Sequence, residues 1–347
     1  MLMPMRPTRP MKSMMRSLLI VVLVGATANA SVWDRALTTP EDEAAKDLYD
    51  AKMLEGDTAT LTATIQSTSI ANNLESIRRA EAAYRAASAA RPREAEPYYR
   101  IGTLLFQMYS NCDPIYSQLP TCDPNNMAHA EAVIAAWDEF ENRAPLDPRV
   151  SELLLSRALL HTKLIDGSPG DHRHLERAAA DYQAALDRGD GLSSTRGDEQ
   201  LLGNLAETYM MLNRLDDAIA SYDRAIVAGA ARVSTVYGLA VALDRDGSGD
   251  QAIRQIQGQG AEGLDAFTKE CLRRTVFFVP SGESSYYFAL ASEAAGNHGA
   301  ALSLWIHYIA SGAHPEFQAR AREHIEALRD KHVHAEPLPP ELNPPPC

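Results

Sequence analysis

The stretch that decides the fold is EQLLGNLAETYMMLNRLDDAIASYDRAIVAGA, residues 199–230. Its apolar residues form two stripes whose members lie one, three or four positions apart, which places each stripe on one face of a helix. The stripes are Leu205, Ala206 and Tyr209, and then Ala218, Tyr222 and Ala225. The polar segment 213–217 separates them, so the stretch predicts two short antiparallel helices. Such a hairpin cannot bury both apolar faces alone and requires similar neighbours.

The same pattern recurs at a shift of 34 residues. The repeated positions are Leu239, Ala240 and Leu243, followed by Ala252 and Ile256. The last position departs from the pattern, because Ala225 corresponds to Gln259, which lies between two glycines. This period and these residues resemble the tetratricopeptide repeat family, in which helix pairs stack into a curved solenoid. The resemblance implies an architecture and a general role in protein binding, and it leaves the partner open.

The fold class that the resemblance implies is all-α, a right-handed superhelical solenoid of stacked antiparallel helix pairs with loop insertions. The solenoid would contain about five pairs and a leading half-unit. We expect a signal peptide at 1–30, a helical N-terminal segment at 31–69, the solenoid at 70–330, insertions at 111–126 and 166–174, an irregular stretch at 260–280, and a proline-rich disordered tail at 331–347.

Four shorter segments have local signals of their own. Residues 39–42, TPED, predict a helix start with a hydroxyl cap, a proline and acidic residues in the first turn. Residues 58–65 alternate threonine with apolar residues, a strand-like period to which we assign no element. Residues 275–279, TVFFV, have the β-branched and aromatic character of a strand. Residues 315–329 predict a closing helix with an inner side formed by Phe317, Ala321, Ile325 and Leu328.

The first thirty residues have the pattern of a secretory signal. Their only charges are basic, and the apolar run 18–24 is too short to span a bilayer core of roughly 30 Å. Ala28-Asn29-Ala30 then supplies the small residues that a signal peptidase requires before Ser31. We expect cleavage after Ala30 and a periplasmic or secreted protein without stable membrane insertion; an uncleaved anchor is the alternative.

The charge balance restricts the partners. The formal net charge is −13, and removal of residues 1–30 leaves 29 basic and 46 acidic side chains, a net charge of −17. Nucleic acids and anionic membranes both require a basic surface on the protein that binds them. The sequence therefore disfavours both partners and is compatible with a protein or peptide partner.

The chain has four cysteines, and none of them shows the close spacing of a zinc knuckle or a redox motif. Cys112 and Cys122 flank a loop rich in Asp, Pro and Asn, and an exported protein favours a disulfide there. That bond would stabilise the fold by roughly 2–3 kcal/mol by restraining the unfolded chain. A second pairing, of Cys271 with Cys347, is left open, as are free thiols.

Two further motifs have features of metal sites. Residues 244–250, DRDGSGD, resemble the start of a calcium loop, but the twelfth position is Gln255 rather than a bidentate carboxylate. An ordinary polar turn between two helices is the favoured interpretation. The histidine pairs at 172 and 174 and at 332 and 334 lack a ligand spacing with other residues, which favours surface histidines. We therefore expect no metal and no cofactor.

The resemblance assigns a partner-binding role to the concave face, which the first helix of each pair would line. Matching the sequence to the repeat places three tyrosines at equivalent positions on this face, and tyrosines suit a peptide groove. The alternative is that these tyrosines only pack against the next unit. Asn204 and Arg100 alone are similar to the residues that clamp a terminal carboxylate in some relatives, so that ligand is disfavoured. The predicted face comprises Tyr99, Arg100, Thr103, Asn204, Glu207, Met211, Tyr237 and Tyr286.

The sequence thus predicts an exported scaffold that binds a partner protein or peptide through this face, in a role such as envelope assembly. The second hypothesis is a ligand- or glycan-binding envelope protein that uses the loops at 111–126 and 166–174. We predict that the chain is not an enzyme, because it has no nucleophile elbow, no phosphate-binding loop, no HExxH and no Ser-x-x-Lys.

Overall fold

The computed structural model describes residues 39–66, 70–110, 127–164, 172–188, 195–229, 232–272 and 282–338. These residues form helices and connecting turns and no strand, so the all-α prediction is confirmed for this part of the chain. The chain divides into two compact units, Met1–Pro97 and Tyr98–Cys347. The predicted disulfide loop, the predicted strand at 275–279 and the predicted signal peptide lie outside the described residues.

The first unit is a helix pair. Helix α1 (Pro40–Leu61) begins with the predicted cap, in which the Thr39 hydroxyl accepts from the Asp42 amide and the Asp42 carboxylate accepts from the Thr39 amide. A π-helical turn (Thr62–Gln66) follows, and α2 (Ile70–Ala90) packs back against α1. The segment 31–69 therefore contributes the first helix of a full pair, where the sequence predicted a half-unit.

The threonine alternation at 58–65 is helical because the helix satisfies the hydroxyls. Thr58, Thr60 and Thr62 donate to the carbonyls of Leu54, Gly56 and Thr58, each four residues earlier, at 2.7–2.9 Å. The hydroxyl groups therefore need no partner strand. Tertiary packing on α2 outweighs the β-propensity of the alternating pattern.

The second unit contains the remaining helices. They are α3 (Glu96–Leu105, continued by a π-helical turn, Phe106–Ser110), α4 (Met127–Arg143), α5 (Arg149–Lys163), α6 (Arg173–Arg188), α7 (Thr195–Met211), α8 (Leu215–Ala228), α9 (Val233–Arg245), α10 (Gly249–Gln257), α11 (Gly263–Leu272), α12 (Ser284–Ala294), α13 (His298–Ser311) and α14 (Gln318–Asp330, preceded by a 3₁₀ turn, Pro315–Phe317). Successive pairs α5–α6, α7–α8, α9–α10 and α12–α13 pack together, and each pair packs on the next.

The two apolar stripes that define the repeat lie in the core. Leu205 and Ala206 on α7 are fully buried, as are all three members of the second stripe on α8. Tyr209 is half-buried, and the guanidinium of Arg214 lies 4.4 Å from the centre of its ring. All five matching positions in the α9–α10 pair are buried too. The local pattern therefore predicts the packing of both central pairs.

Glycines permit close helix packing at two points. A Cβ at Gly102 on α3 would lie 2.3 Å from the Trp137 indole on α4, and a Cβ at Gly238 on α9 would lie 2.4 Å from the Tyr222 ring on α8. Since real Cβ atoms do not approach other atoms so closely, only glycine allows the large aromatic ring to fill the space between these helices.

The chain continues to pack on the helices beyond α14, up to residue 338. The predicted inner side of α14 is buried at all four positions. Residues 331–338 form no helix, but the Glu336 amide donates to the Gly299 carbonyl on α13, and Val333 and Leu338 pack against the core. Up to residue 338 the tail is therefore packed on α13, where the sequence predicted disorder.

A buried arginine joins three successive helices. Arg157 on α5 donates two hydrogen bonds to Asp181 on α6, at 2.8 and 2.7 Å, and forms ion pairs with Asp138 and Glu141 on α4, at 2.9 and 2.7 Å. Burial raises the pKa of Asp181, and Arg157 opposes that effect. The guanidinium thus neutralises the Asp181 carboxylate, which would otherwise be costly to bury.

We predict that Arg157→Met destabilises the fold by about 3 kcal/mol, because it leaves the buried carboxylate of Asp181 without its cation. The free energy of unfolding, from urea titration at pH 7, measures the effect. Arg177→Met is the matched control, because Arg177 is exposed and pairs with Asp138 at 3.2 Å; it should change stability by less than about 0.5 kcal/mol. Equal losses for the two variants would contradict this account.

Candidate functional site

The predicted partner-binding residues fall into two groups. Tyr99, Arg100 and Thr103 lie on α3, where Arg100 is exposed and the other two side chains are half-buried. The Tyr99 ring lies 5.2 Å from Phe140, and the Arg149 guanidinium lies 4.3 Å from the Tyr99 ring. The part of the predicted face that lies on α3 is therefore accessible to solvent.

The other predicted residues are buried in the core. Asn204, Glu207 and Met211 on α7 are buried, and Tyr237 on α9 and Tyr286 on α12 are 2% and 0% exposed. Their contacts in this structure are those of packing residues, which was the alternative that the sequence left open. A role for these residues in direct partner contact stays a prediction, and it requires that the neighbouring helices that cover them move.

Glu207 is a carboxylate enclosed by tyrosines. It accepts hydrogen bonds from Tyr222 on α8, at 2.8 Å, and from Tyr287 on α12, at 2.5 Å. Burial raises the pKa of Glu207 to about 7, although the hydrogen bond from Tyr287 and the positive charge of Arg245 act in the opposite direction. Glu207 thus links two helix pairs that are far apart in sequence and changes charge near neutral pH.

We predict that Glu207→Gln alters the pH dependence of stability between about pH 4.5 and pH 7. Because the folded-state pKa is raised, the wild-type protein binds this proton more tightly when folded, so this contribution is lost as pH rises through 7. Stability of the Gln variant relative to wild type should therefore increase by about 2–3 kcal/mol from pH 4.5 to pH 8. Urea titrations across that range test this. Glu326→Gln, at an exposed position, should leave the profile parallel to wild type, and a parallel profile for Glu207→Gln would refute the assignment.

The calcium-like segment begins with an aspartate that is already fully engaged. Asp244 is buried and accepts from Tyr286 at 2.6 Å, from Arg320 at 2.7 Å and from His324 at 3.0 Å. Among the described residues no group of three or more His, Cys, Asp or Glu side chains could hold a metal ion. The segment forms the turn between α9 and α10, with Gly247 at a φ of +89°.

The same cluster fastens α14 to the helices beneath it. His324 on α14 lies 2.9 Å from Glu293 through Nδ1 and 3.0 Å from Asp244 through Nε2. Burial opposes a charged imidazole, but the hydrogen bonds to the two carboxylates outweigh it and raise the pKa of His324 to about 9. A polar cleft of about 610 Å³ lies above this cluster, lined by the turn at 247–249 and by α10 and α14. The ionic groups at its base are thus paired with one another.

Tyr286 belongs to an adjacent aromatic cluster. Its ring meets Trp305 edge-on at 4.6 Å and Tyr308 edge-on at 5.0 Å. The buried Arg245 guanidinium lies 4.4 Å from the centre of the Tyr286 ring and pairs with Glu283. These three side chains surround the Tyr286 ring, so it packs in the core and is not presented to solvent.

Tyr237 is covered by α11, which lies in the stretch 260–280 that the sequence marked as irregular, with an odd helix in 264–278 as one interpretation. Phe267 on α11 is fully buried, and its ring centre lies 4.8 Å from Tyr237, 5.1 Å from Phe288 and 6.0 Å from Tyr287. We call the surface formed by Tyr237, Tyr287 and Phe288 the aromatic floor. The spacing of Gly263, Phe267 and Cys271, four residues apart, was the available signal for an amphipathic helix here.

The histidine and cysteine predictions have mixed outcomes. His172 and His334 are exposed, while His174 meets the buried His161, with 3.0 Å between their Nδ1 atoms. Burial lowers the pKa of His161 to about 3, so the His161 ring is neutral at pH 7. Cys271 is buried and disulfide-bonded, whereas Cys112 and Cys122 lie outside the described residues.

The fold and the predicted face define a class of protein, which is an all-helical stack of paired helices. They do not define a named family. No protein-family model matches the chain, and no curated protein matches it. A solved structure that is similar is the crystal structure of MamA protein, at 15% identity and a TM-score of 0.40, covering 68% of this chain and 100% of that chain. A likeness at this level carries no argument about function. Within the described ranges no helix is long and apolar enough to cross a membrane.

Proposed function

We propose that this chain is an exported scaffold that binds a partner protein or peptide through the inner face of its helix stack. The proposal rests on one observation, which is that the stack already binds an amphipathic helix, its own α11, on the aromatic floor. Binding a helix in an apolar groove is a common mode of peptide recognition. The same surface chemistry suits a helical segment of another protein.

Export is the second part of the proposal. The charge and apolar pattern of residues 1–30, with the small residues before Ser31, supports a cleaved signal and a periplasmic or secreted location. A disulfide-bonded Cys271 fits an oxidising compartment. A scaffold in that compartment would serve an envelope assembly, and we propose no catalytic activity for it.

Site-specific photocrosslinking tests the partner-binding face. A benzophenone amino acid replaces Arg100, which is exposed on α3, or replaces Arg224, which is exposed on the second helix of its pair. We expect position 100 to crosslink a discrete partner in intact cells, and position 224 to yield none, because only the first helices would line the face. Crosslinks of equal yield at both positions, or none at either, would contradict the proposal.

Export is tested separately by the N-terminus of the mature chain. The full chain, produced in a bacterium with two membranes, should fractionate with the periplasm or the medium and begin at Ser31. Ala30→Arg should block cleavage, because the peptidase pocket accepts only small residues, whereas Ala26→Ser, outside the recognition positions, should not. Intact-mass measurement distinguishes these results, and an unprocessed cytoplasmic wild-type chain would exclude export.

A further inference from the structure

The aromatic floor is occupied by α11, a helix of the same chain. Helix α11 lies between the pairs α9–α10 and α12–α13 in sequence, and it packs against α9 and α12. A row of helix pairs has no place for such a helix, so α11 is an addition to the repeat. It lies over Tyr237, a residue that the repeat assigns to the partner-binding face.

Few residues of α11 form the side that packs on the aromatic floor. Gly263, Phe267 and Cys271 are buried, and Phe267 alone among them has a large side chain. Gly263 permits the close approach, because a Cβ there would lie 2.9 Å from the Tyr237 hydroxyl oxygen. The opposite side is solvated, as the exposed ion pair of Asp265 with Lys269 at 2.5 Å shows.

One polar contact fixes the direction and register of the docked helix. The Glu270 carboxylate accepts a hydrogen bond from the Ser234 amide in the first turn of α9, at 3.1 Å. The first turn of a helix has amides without internal partners and a partial positive charge, both of which favour a carboxylate. Phe267 and Glu270 are therefore a paired recognition element, an aromatic ring followed three residues later by an acid.

The helices beneath α11 are much more firmly held than α11. Every residue of α9 from Ser234 to Arg245 is buried, and so is nearly all of α12. Three of the ten residues of α11 are buried, and four more are half-buried, among them Leu264, which also packs against the core. Segments with few buried apolar contacts open at a lower free energy than the core around them. Helix α11 can therefore open more readily than α9 and α12, and because Cys271 in its last turn is disulfide-bonded, α11 leaves the floor by swinging away from its first turns while that bond keeps its end tethered.

We propose that α11 is a displaceable internal ligand that occupies the partner-binding surface until a partner helix replaces it. The proposal rests on the proposed function and specifies the partner as an amphipathic helix. That helix would carry an aromatic residue, an acidic residue three positions later, and small or apolar residues four positions before and after the aromatic residue. The internal copy lowers the apparent affinity for that partner by competing at high effective concentration.

A peptide that copies α11 tests the proposal without knowledge of the natural partner. The probe is a fluorescein-labelled peptide of residues 261–272 with Cys271→Ser, and its binding to the purified full chain is measured by fluorescence anisotropy. Phe267→Ala in the protein removes the anchor of α11. We expect this variant to bind the probe at least 10-fold more tightly than wild type, because its floor is vacant more often.

Two controls separate this effect from general loosening. Leu272→Ala removes a side chain that is 64% exposed on the same helix, and the probe should bind this variant as weakly as it binds wild type. A probe that itself carries Phe267→Ala should lose at least 10-fold in affinity for the Phe267→Ala protein. Equal affinity of the intact probe for all three proteins would overturn the proposal.

A second variant covers the case in which Phe267→Ala fails to fold by circular dichroism. Glu270→Gln weakens the contact with α9 and leaves the core unchanged, so it should raise the affinity for the probe about 3-fold; unchanged affinity would overturn the proposal. Probe binding without a crosslinked partner at position 100 would refute the proposed function alone. A crosslinked partner without variant-dependent probe binding would refute the displacement alone.

Discussion

The insertion of Phe267 among the rings of Tyr237, Tyr287 and Phe288 is the contact on which the inner surface of the stack depends. It brings together residues from three helices and closes a face that a row of helix pairs would otherwise leave open to solvent. Phe267 is tilted against Tyr237 and Phe288 and stacked on Tyr287, and such ring contacts stabilise beyond the area that they bury. The contact also bears on function, because this surface, which suits a helix, already holds α11. A partner helix would therefore have to replace α11 there.

Buried charges determine how the helices around this contact are arranged. Glu207, Arg245 and Asp244 are each fully buried, and each has partners on other helices rather than on its own. Such groups are tolerated inside a protein only when their hydrogen bonds and charges are matched. They therefore restrict α7, α9, α12 and α14 to one register, whereas apolar packing alone would tolerate several.

The local periodicity predicted the helix pairs, because helical spacing is a property of neighbouring residues. Burial of the predicted partner-binding residues on α7, α9 and α12 was not predictable in the same way. The repeat register places Tyr237 and Tyr286 on that face, but the register contains no information on whether another segment covers it. The spacing of Gly263, Phe267 and Cys271 indicates an amphipathic helix without indicating its docking surface, since that depends on contacts distant in sequence. The alternating threonines at 58–62 left their segment unassigned for a different reason, because their hydroxyls bond to carbonyls within the helix.

The most direct test of the account is amide hydrogen exchange, resolved along α9, α11 and α12 in the native full chain at pH 7. If α11 opens alone, its amides exchange through a local opening and are much less protected than those of α9 and α12, whose exchange requires unfolding of the core. Protection of α11 equal to that of α9 would show that the helix leaves the aromatic floor only when the stack unfolds, and it would contradict the account.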